Sequence, residues 1–173
     1  KIGATVQLAI GGWIFAIALG IPSGVLAAVK RGTFWDYFGR SMAIVGQAAP
    51  PFVTALVAIW FFAVTLDILP AGGRSPEFNW KEYILPCMAL GWGAAASLMR
   101  LTRSSMLEVL DSEYIRLARA KGVGWNWVIY KHALRNALIA PVTSALLVFS
   151  GWLNGALVVE IVFSWPGIGY DAL

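Results

Sequence analysis

Residues Ile2–Val29 read IGATVQLAIGGWIFAIALGIPSGVLAAV and carry no charged side chain. About 17 to 25 apolar residues cross a bilayer as an α-helix, so this stretch is long enough to span one. Helices buried in a soluble core rarely reach such a length without a charge. Further uncharged stretches lie at 41–66, 83–99 and 137–159. The sequence therefore predicts one all-α transmembrane domain, a polytopic helix bundle with spans near residues 3–29, 41–66, 83–100 and 137–159.

The composition agrees with a protein that is solvated by lipid. Of the 173 residues, 59% are hydrophobic and 13% are charged, whereas about a quarter are charged in a typical soluble domain. Cys87 and His132 are the single cysteine and histidine, so no disulfide within the chain and no Cys/His metal cluster is expected. We predict no catalytic residue and no metal site. The chain also lacks a glycine-rich phosphate loop with its lysine, so we do not expect it to bind ATP itself.

The charges between the spans predict the topology. Segments 30–40 and 102–136 have an excess of Lys and Arg, whereas segment 67–82 and the tail after Val159 have an excess of acidic residues. Lys and Arg accumulate on the cytoplasmic side of membrane proteins. Both basic segments are therefore predicted to be cytoplasmic, and residue 1 and the tail to lie outside. We expect at least one further span before residue 1 and another after residue 173.

Glycines and prolines within the spans predict close contacts and bends. Gly20 and Gly24 lie four residues apart on one helical face, and such pairs let membrane helices approach closely. Pro22 and the Pro50-Pro51 pair remove backbone hydrogen-bond donors, so we expect bends there. No ionisable residue lies in the middle of a predicted span, where a proton-coupled or ion-coupled carrier usually needs one.

The cytoplasmic segment 111–141 reads DSEYIRLARAKGVGWNWVIYKHALRNALIAP and begins with a helix signal. Asp111 or Ser112 can cap a helix at its start. Glu113 and Arg116 have the spacing of an ion pair on one helical face. The segment therefore predicts a short helix that begins near residue 113.

Gly122 predicts the end of this short helix, because a residue with positive φ commonly terminates a helix. A second helix is expected from about Trp125 into the next span. The apolar residues of this hairpin have no core of their own, so they must pack on the membrane domain or on another protein. A solvated loop, a nucleic-acid patch and an acidic-lipid patch are alternatives, but the small residues at the helix end favour insertion into a protein groove.

Several motifs resemble one family in the right order along essentially the whole chain. Residues 116–122 (RLARAKG) and 131–137 (KHALRNA) are similar to the "EAA" loop of binding-protein-dependent ATP-binding-cassette (ABC) importers. The closest resemblance is to the B-type permeases of the dipeptide, oligopeptide, nickel and opine group. Arg135 replaces the proline of the general motif, and Arg116-Leu117-Ala118 replaces its Glu-Ala-Ala. Further matches are GIPSGVLAAVK at 20–30, LPAGG at 69–73, LMRLTRSSMLEVL at 98–110 and VVEIVFSWPGIG at 158–169.

The resemblance implies the type I ABC importer permease fold, with six spans in the complete subunit and the second to the fifth in this chain. It implies a multi-pass protein of the prokaryotic inner membrane. The expected partners are a second permease subunit, two ATPase subunits that bind ATP and Mg, an extracytoplasmic solute-binding protein and lipid, without nucleic acid. Di- and oligopeptides are the expected substrates, with nickel, glutathione and opines as alternatives. A self-contained carrier or channel is the alternative from another class.

The resemblance also implies a coupling helix that docks in a cleft of an ATPase. Its expected docking residues are Glu113, Arg116, Ala118, Arg119, Ala120, Lys121 and Gly122. A path wide enough for peptides needs small and polar residues, for which Gln47 and Asn154 are candidates. Glu160, at the outer end of a span, is expected among the lipid headgroups, with a role at the substrate entrance as the alternative.

Overall fold

A computed structural model describes residues 1–75, 77, 79–153 and 156–169, and these residues form helices without β-strands. The all-α prediction is confirmed. The α-helices are α1 Ile2–Val29, α2 Phe34–Ala48, α3 Pro51–Ala58, α4 Trp80–Leu110, α5 Glu113–Ala120, α6 Trp125–Trp127, α7 Leu134–Ala137, α8 Ile139–Leu153 and α9 Leu157–Val162. Two π-helical segments, Ile59–Thr65 and Val128–Ala133, continue α3 and α6.

The centre of the bundle is the parallel pair α1 and α4, which touch through their backbones. A Cβ atom on Gly20 would lie 2.6 Å from the carbonyl oxygen of Ala95, and one on Gly24 would lie 2.6 Å from that of Met99. Any larger residue at either position would separate the two helices. The close approach predicted from the Gly20 and Gly24 pair is therefore confirmed, and it increases the dispersion contacts on which helix packing in lipid depends.

The helices fit a membrane protein by length and apolar character. α1 and α4, of 28 and 31 residues, are each long and apolar enough to cross a bilayer. Two bent pairs pass the same test, Phe34–Ala48 with Pro51–Thr65 at 109° and Trp125–Ala137 with Ile139–Leu153 at 47°. The described residues thus contain two such helices, or up to four if each bent pair is one span, and the four predicted spans stay a prediction.

The sharp bend in the predicted span 41–66 lies at the two adjacent prolines. Ala49 and Pro50 are extended, with ψ of 120° and 148°, and Pro51 is the first residue of α3. A residue before proline avoids the helical region, and proline has no N–H for the preceding turn. The predicted bend at Pro50-Pro51 is confirmed, whereas α1 runs through Pro22 as one helix.

Glu160 lies in the interior of the bundle, at the end where the starts of α1 and α4 meet α9 (the α9 end). Its side chain is 0% exposed. The Thr5 hydroxyl donates to its Oε1 over 2.7 Å, and the Gly169 N–H donates to its Oε2 over 2.7 Å. The expectation of a headgroup position is wrong, because the chain folds back after α9 and the Trp165 indole N–H donates to the carbonyl of Ala4 over 3.0 Å.

Candidate docking site at the α5 end

The opposite end of the bundle, where α1 and α4 finish, carries α5 and is called here the α5 end. Ser112 is the N-cap residue of α5, but its side chain makes no capping hydrogen bond. Its hydroxyl instead donates to the carbonyl of Val109 over 2.5 Å, at the end of α4. The predicted ion pair is confirmed, since Arg116 donates to Glu113 over 2.8 Å.

Gly122 ends α5 in the conformation that the sequence predicts. Its φ is +80°, and its N–H donates to the carbonyl of Arg119 over 3.0 Å. The N–H of Val123 donates to the carbonyl of Ala118 over 3.2 Å. These two bonds form the Schellman arrangement, which satisfies carbonyls at the helix end and reverses the chain.

The returning arm begins at Trp125, as predicted, and continues through the π-helical segment into α7. The amide of Asn136 in α7 donates to the Tyr114 hydroxyl of α5 over 2.9 Å. The two arms are therefore joined at their open ends as well as at the Gly122 turn. Residues 113–137 together are called the hairpin below.

Buried apolar side chains attach the hairpin to the bundle, and Ile115 and Val128 are two of them. Ile115 and Val128 are both 0% exposed. They belong to one buried cluster with Val25 at the end of α1 and Met106 near the end of α4. The hairpin therefore packs directly on the ends of the two long helices.

Other apolar side chains of the hairpin face away from the bundle. Leu117 is 57% exposed and Trp127 is 62% exposed, and Tyr114 and Trp125 are also exposed. The Arg119 guanidinium carbon lies 5.0 Å from the centre of the Trp125 ring, and the Lys131 ammonium lies 4.8 Å from that of Trp127. The described residues thus present an apolar surface edged by cations, of the kind that marks a protein or membrane interaction site. Leu117, Tyr114, Trp125 and Trp127 are called the hairpin face below.

The structure brings the predicted docking residues together on α5 and its turn. All are exposed except Ala118, which is half-buried. Their contact with an ATPase stays a prediction. The larger side chains of the hairpin face are exposed on the same hairpin. A helical plot with Ile115 on the buried side would have indicated Leu117 as exposed. The predicted docking residues are Glu113, Arg116, Ala118, Arg119, Ala120, Lys121 and Gly122.

The sequence reasoning missed an ion pair that joins α2 to α4 near the same end. Arg103 donates from Nε and Nη2 to the two carboxylate oxygens of Asp36 over 2.6 and 2.9 Å. The Gly32 N–H donates to the same carboxylate over 3.0 Å. Both charged residues lie outside the uncharged segments, and the Arg103 hydrogen bonds hold the pKa of the Asp36 carboxyl below its usual value.

Gln47 and Asn154 are the two candidates for the translocation path. Gln47 is half-buried and lines a cavity of about 350 Å³ between α2 and α4. Asn154 lies outside the described residues. The path role of both side chains stays a prediction. In the part of the chain that the structure describes, no three His, Cys, Asp or Glu side chains gather in a way that could hold a metal ion.

Long apolar helices packed through glycines, with a basic hairpin attached at one end, define a membrane-embedded helical bundle. The model of the binding-protein-dependent transport system inner membrane component family matches residues 20–173. The chain belongs to this family.

Within this family, the chain is similar to proteins that are named as peptide and glutathione permeases. The chain is 43% identical to a dipeptide transport system permease protein of Alkalihalophilus pseudofirmus over 97% of this chain and 58% of the relative. It is 40% identical to a putative peptide permease protein of Brucella suis, over 98% and 55%. It is 42% identical to a glutathione transport system permease protein of Salmonella typhimurium, over 95% and 53%. The chain therefore spans little more than half the length of these relatives.

Proposed function

We propose that this chain is part of a permease subunit in an ATP-driven, binding-protein-dependent importer of di- and oligopeptides. Family membership and the names of the relatives support this function. The subunit would cross the inner membrane of a prokaryote several times, with the α5 end in the cytoplasm. A second permease subunit would complete the path, and a solute-binding protein would deliver substrate from outside. Two ATPase subunits would bind ATP and Mg.

The hairpin face is the observation that carries the coupling part of the proposal. Fully burying a side chain of the size of leucine contributes about 1.5–3 kcal/mol, and aromatic residues dominate the energetics of most interfaces. Leu117 and Trp127 thus provide a substantial apolar contact for a cleft in an ATPase. Because Ile115 and Val128 are fully buried, ATP-driven movement of that cleft would carry α1 and α4 with it as rigid elements.

The cations around the hairpin face support an acidic partner. Arg119 and Lys131 lie over aromatic rings of the face, and Lys121 is exposed beside the turn. Charges at the rim of an interface steer association and suppress wrong partners more than they add affinity. We therefore expect the ATPase cleft to be apolar at its centre and acidic at its edge.

Leu117→Asp tests the docking part of the proposal. Residue 117 is 57% exposed, so the added charge should leave the bundle intact and disfavour burial in a cleft. We expect at least a tenfold loss of ATPase subunits that co-purify with the full-length permease, equivalent to ~1.4 kcal/mol, and loss of uptake in reconstituted vesicles. Leu117→Met is the matched control and should retain both. Normal ATPase recovery and normal uptake with Leu117→Asp would refute docking through the hairpin face.

Uptake by a strain without its own peptide importers tests the substrate class. The complete transporter should restore accumulation of a labelled dipeptide. Glutathione is the second candidate, because a relative at 42% identity is named a glutathione permease protein. Uptake of glutathione without dipeptides would narrow the substrate to glutathione, whereas uptake of nickel alone would overturn the peptide assignment.

A further inference from the structure

The cavity of about 350 Å³ between α2 and α4 has a polar wall. It lies beside the Asp36–Arg103 pair, which joins the same two helices. Its polar lining consists of Arg40, Gln47, Arg100, Arg103 and Ser104. Three of these five side chains are arginines, whose guanidinium groups donate hydrogen bonds and cannot accept them. The polar wall therefore consists mainly of hydrogen-bond donors.

The cavity carries uncompensated positive charge. Arg103 is neutralised by Asp36, with which it makes two hydrogen bonds. Arg40 and Arg100 line the same cavity and are exposed. Among the described residues neither has a carboxylate within ion-pair distance, and Asp36, which also acts electrostatically on Arg40, offsets only one of the three arginine charges. Two like charges that face one space repel each other, so an anion placed between them is favoured by both.

Gln47 supplies an independent observation that favours a ligand with a hydrogen-bond acceptor. Its side chain is half-buried as a whole, but its Nε2 atom is buried and has no hydrogen-bond partner among the described residues. A buried donor without a partner costs about 1–3 kcal/mol, and native proteins rarely leave one in that state. An acceptor in the cavity would satisfy this amide.

We propose that this cavity binds an oxyanion, with Arg40 and Arg100 as its charged donors and Gln47 as a neutral donor. Arginine forks match the geometry of phosphate and carboxylate, and charge-assisted hydrogen bonds of this kind are about twice as strong as neutral ones. The inference rests on the charge and geometry of the cavity and is independent of the proposed transport function.

Two sources can supply the oxyanion. Ile44 also lines the cavity and is 67% exposed, which suits the headgroup phosphate of an anionic phospholipid at the edge of an apolar phase. Free inorganic phosphate offers the same chemistry from solution. The cavity lies at the end of the bundle that the charge pattern places in the cytoplasm, and the cytoplasmic leaflet attracts basic residues through its anionic lipids.

Native mass spectrometry of the full-length permease with its partners tests the site. The complex is titrated with phosphatidylglycerol, with phosphatidylcholine of the same acyl chains, and with inorganic phosphate. The double variant Arg40→Gln/Arg100→Gln should lower the affinity for phosphatidylglycerol about tenfold, equivalent to ~1.4 kcal/mol, and leave that for phosphatidylcholine unchanged. Gln47→Leu should lower it about threefold without any change of charge.

The double variant Lys30→Gln/Arg31→Gln is the matched control, because it removes the same charge from exposed residues outside the cavity. It should change the affinity less than twofold. If the cavity variants bind phosphatidylglycerol more weakly and phosphate does not displace this lipid from the parent, the oxyanion is the lipid headgroup. If phosphate binds to the parent and this binding depends on Arg40 and Arg100, the oxyanion is free phosphate. Equal affinities in the cavity variants and the parent overturn the site, as does an equal loss in the control. If the Arg40→Gln/Arg100→Gln variant does not assemble into the complex, Arg40→Lys/Arg100→Lys takes its place. This variant keeps both charges but lacks the guanidinium fork, so its affinity for phosphatidylglycerol should fall by less than tenfold.

Discussion

The Glu160 network at the α9 end and the hairpin at the α5 end treat their polar groups in opposite ways. At the α9 end, Glu160 is 0% exposed, and both of its carboxylate oxygens accept hydrogen bonds from within the chain. At the α5 end, Glu113 and Arg116 face solvent, and their ion pair is exposed on both sides. The hairpin there is attached by apolar contacts of Ile115 and Val128.

This difference indicates which of the two features needs a partner. Because the Glu160 carboxylate is satisfied within the chain, its network needs no polar group from another protein. The hairpin face instead leaves large apolar side chains in contact with water, so its stabilisation has to come from another surface. Substitutions at the α9 end should therefore affect folding, whereas those on the hairpin face should affect association.

Glu160→Leu should have the largest effect. It deprives the Thr5 hydroxyl and the Gly169 N–H of their acceptor, and each orphaned buried donor costs about 1–3 kcal/mol. We expect the free energy of unfolding in detergent micelles to fall by roughly 4 kcal/mol, measured by denaturant titration. Glu108→Leu replaces an exposed carboxylate of α4 and should change it by less than about 0.5 kcal/mol. Equal losses in the two variants would show that the α9 end is not held by this network.

Ile115→Ala should detach the hairpin from the bundle. Truncating a fully buried isoleucine costs about 2–5 kcal/mol, and the loss should fall on local opening of the hairpin. Hydrogen exchange of the α5 amides should accelerate by roughly a hundredfold, which corresponds to about 3 kcal/mol. Leu117→Ala, on the exposed side of the same helix, should leave that protection nearly unchanged. If Leu117→Ala also removed the protection, the division of the hairpin into a buried and an exposed side would be wrong.

The sequence predicted those features that depend on near neighbours. The positive φ of Gly122, the Glu113–Arg116 pair and the bend at Pro50-Pro51 are local, because each follows from the chemistry of a few adjacent residues. The all-α class followed from long uncharged stretches. Even so, the capping hydrogen bond expected at Ser112 is absent, because the end of α4 offers its hydroxyl a carbonyl instead.

The features that the sequence did not predict depend on contacts between distant segments. Asp36 and Arg103 are 67 residues apart, and Thr5 and Glu160 are 155 apart. Neither pair has a spacing that a helical pattern could reveal, because each meets only when whole helices pack. A lone acidic residue beside an apolar span therefore looked like a headgroup contact, although the chain folds back and buries it.

Gly122→Ala should have the smallest effect on stability of these substitutions. Gly73→Ala is its matched control, because it introduces the same backbone strain outside the hairpin. Gly122 and Gly73 have φ of +80° and +87°, and a Cβ on either would meet no atom of the described residues within 4 Å. Each substitution therefore introduces the same left-handed strain, about 1 kcal/mol, without a clash. Thermal unfolding of the purified complex should shift equally in both variants. Because Gly122 shapes the hairpin turn and Gly73 lies between α3 and α4, only Gly122→Ala should also weaken the coupling of ATP hydrolysis to uptake. An equal loss of coupling in Gly73→Ala would mean that general stability, and not the hairpin, limits transport.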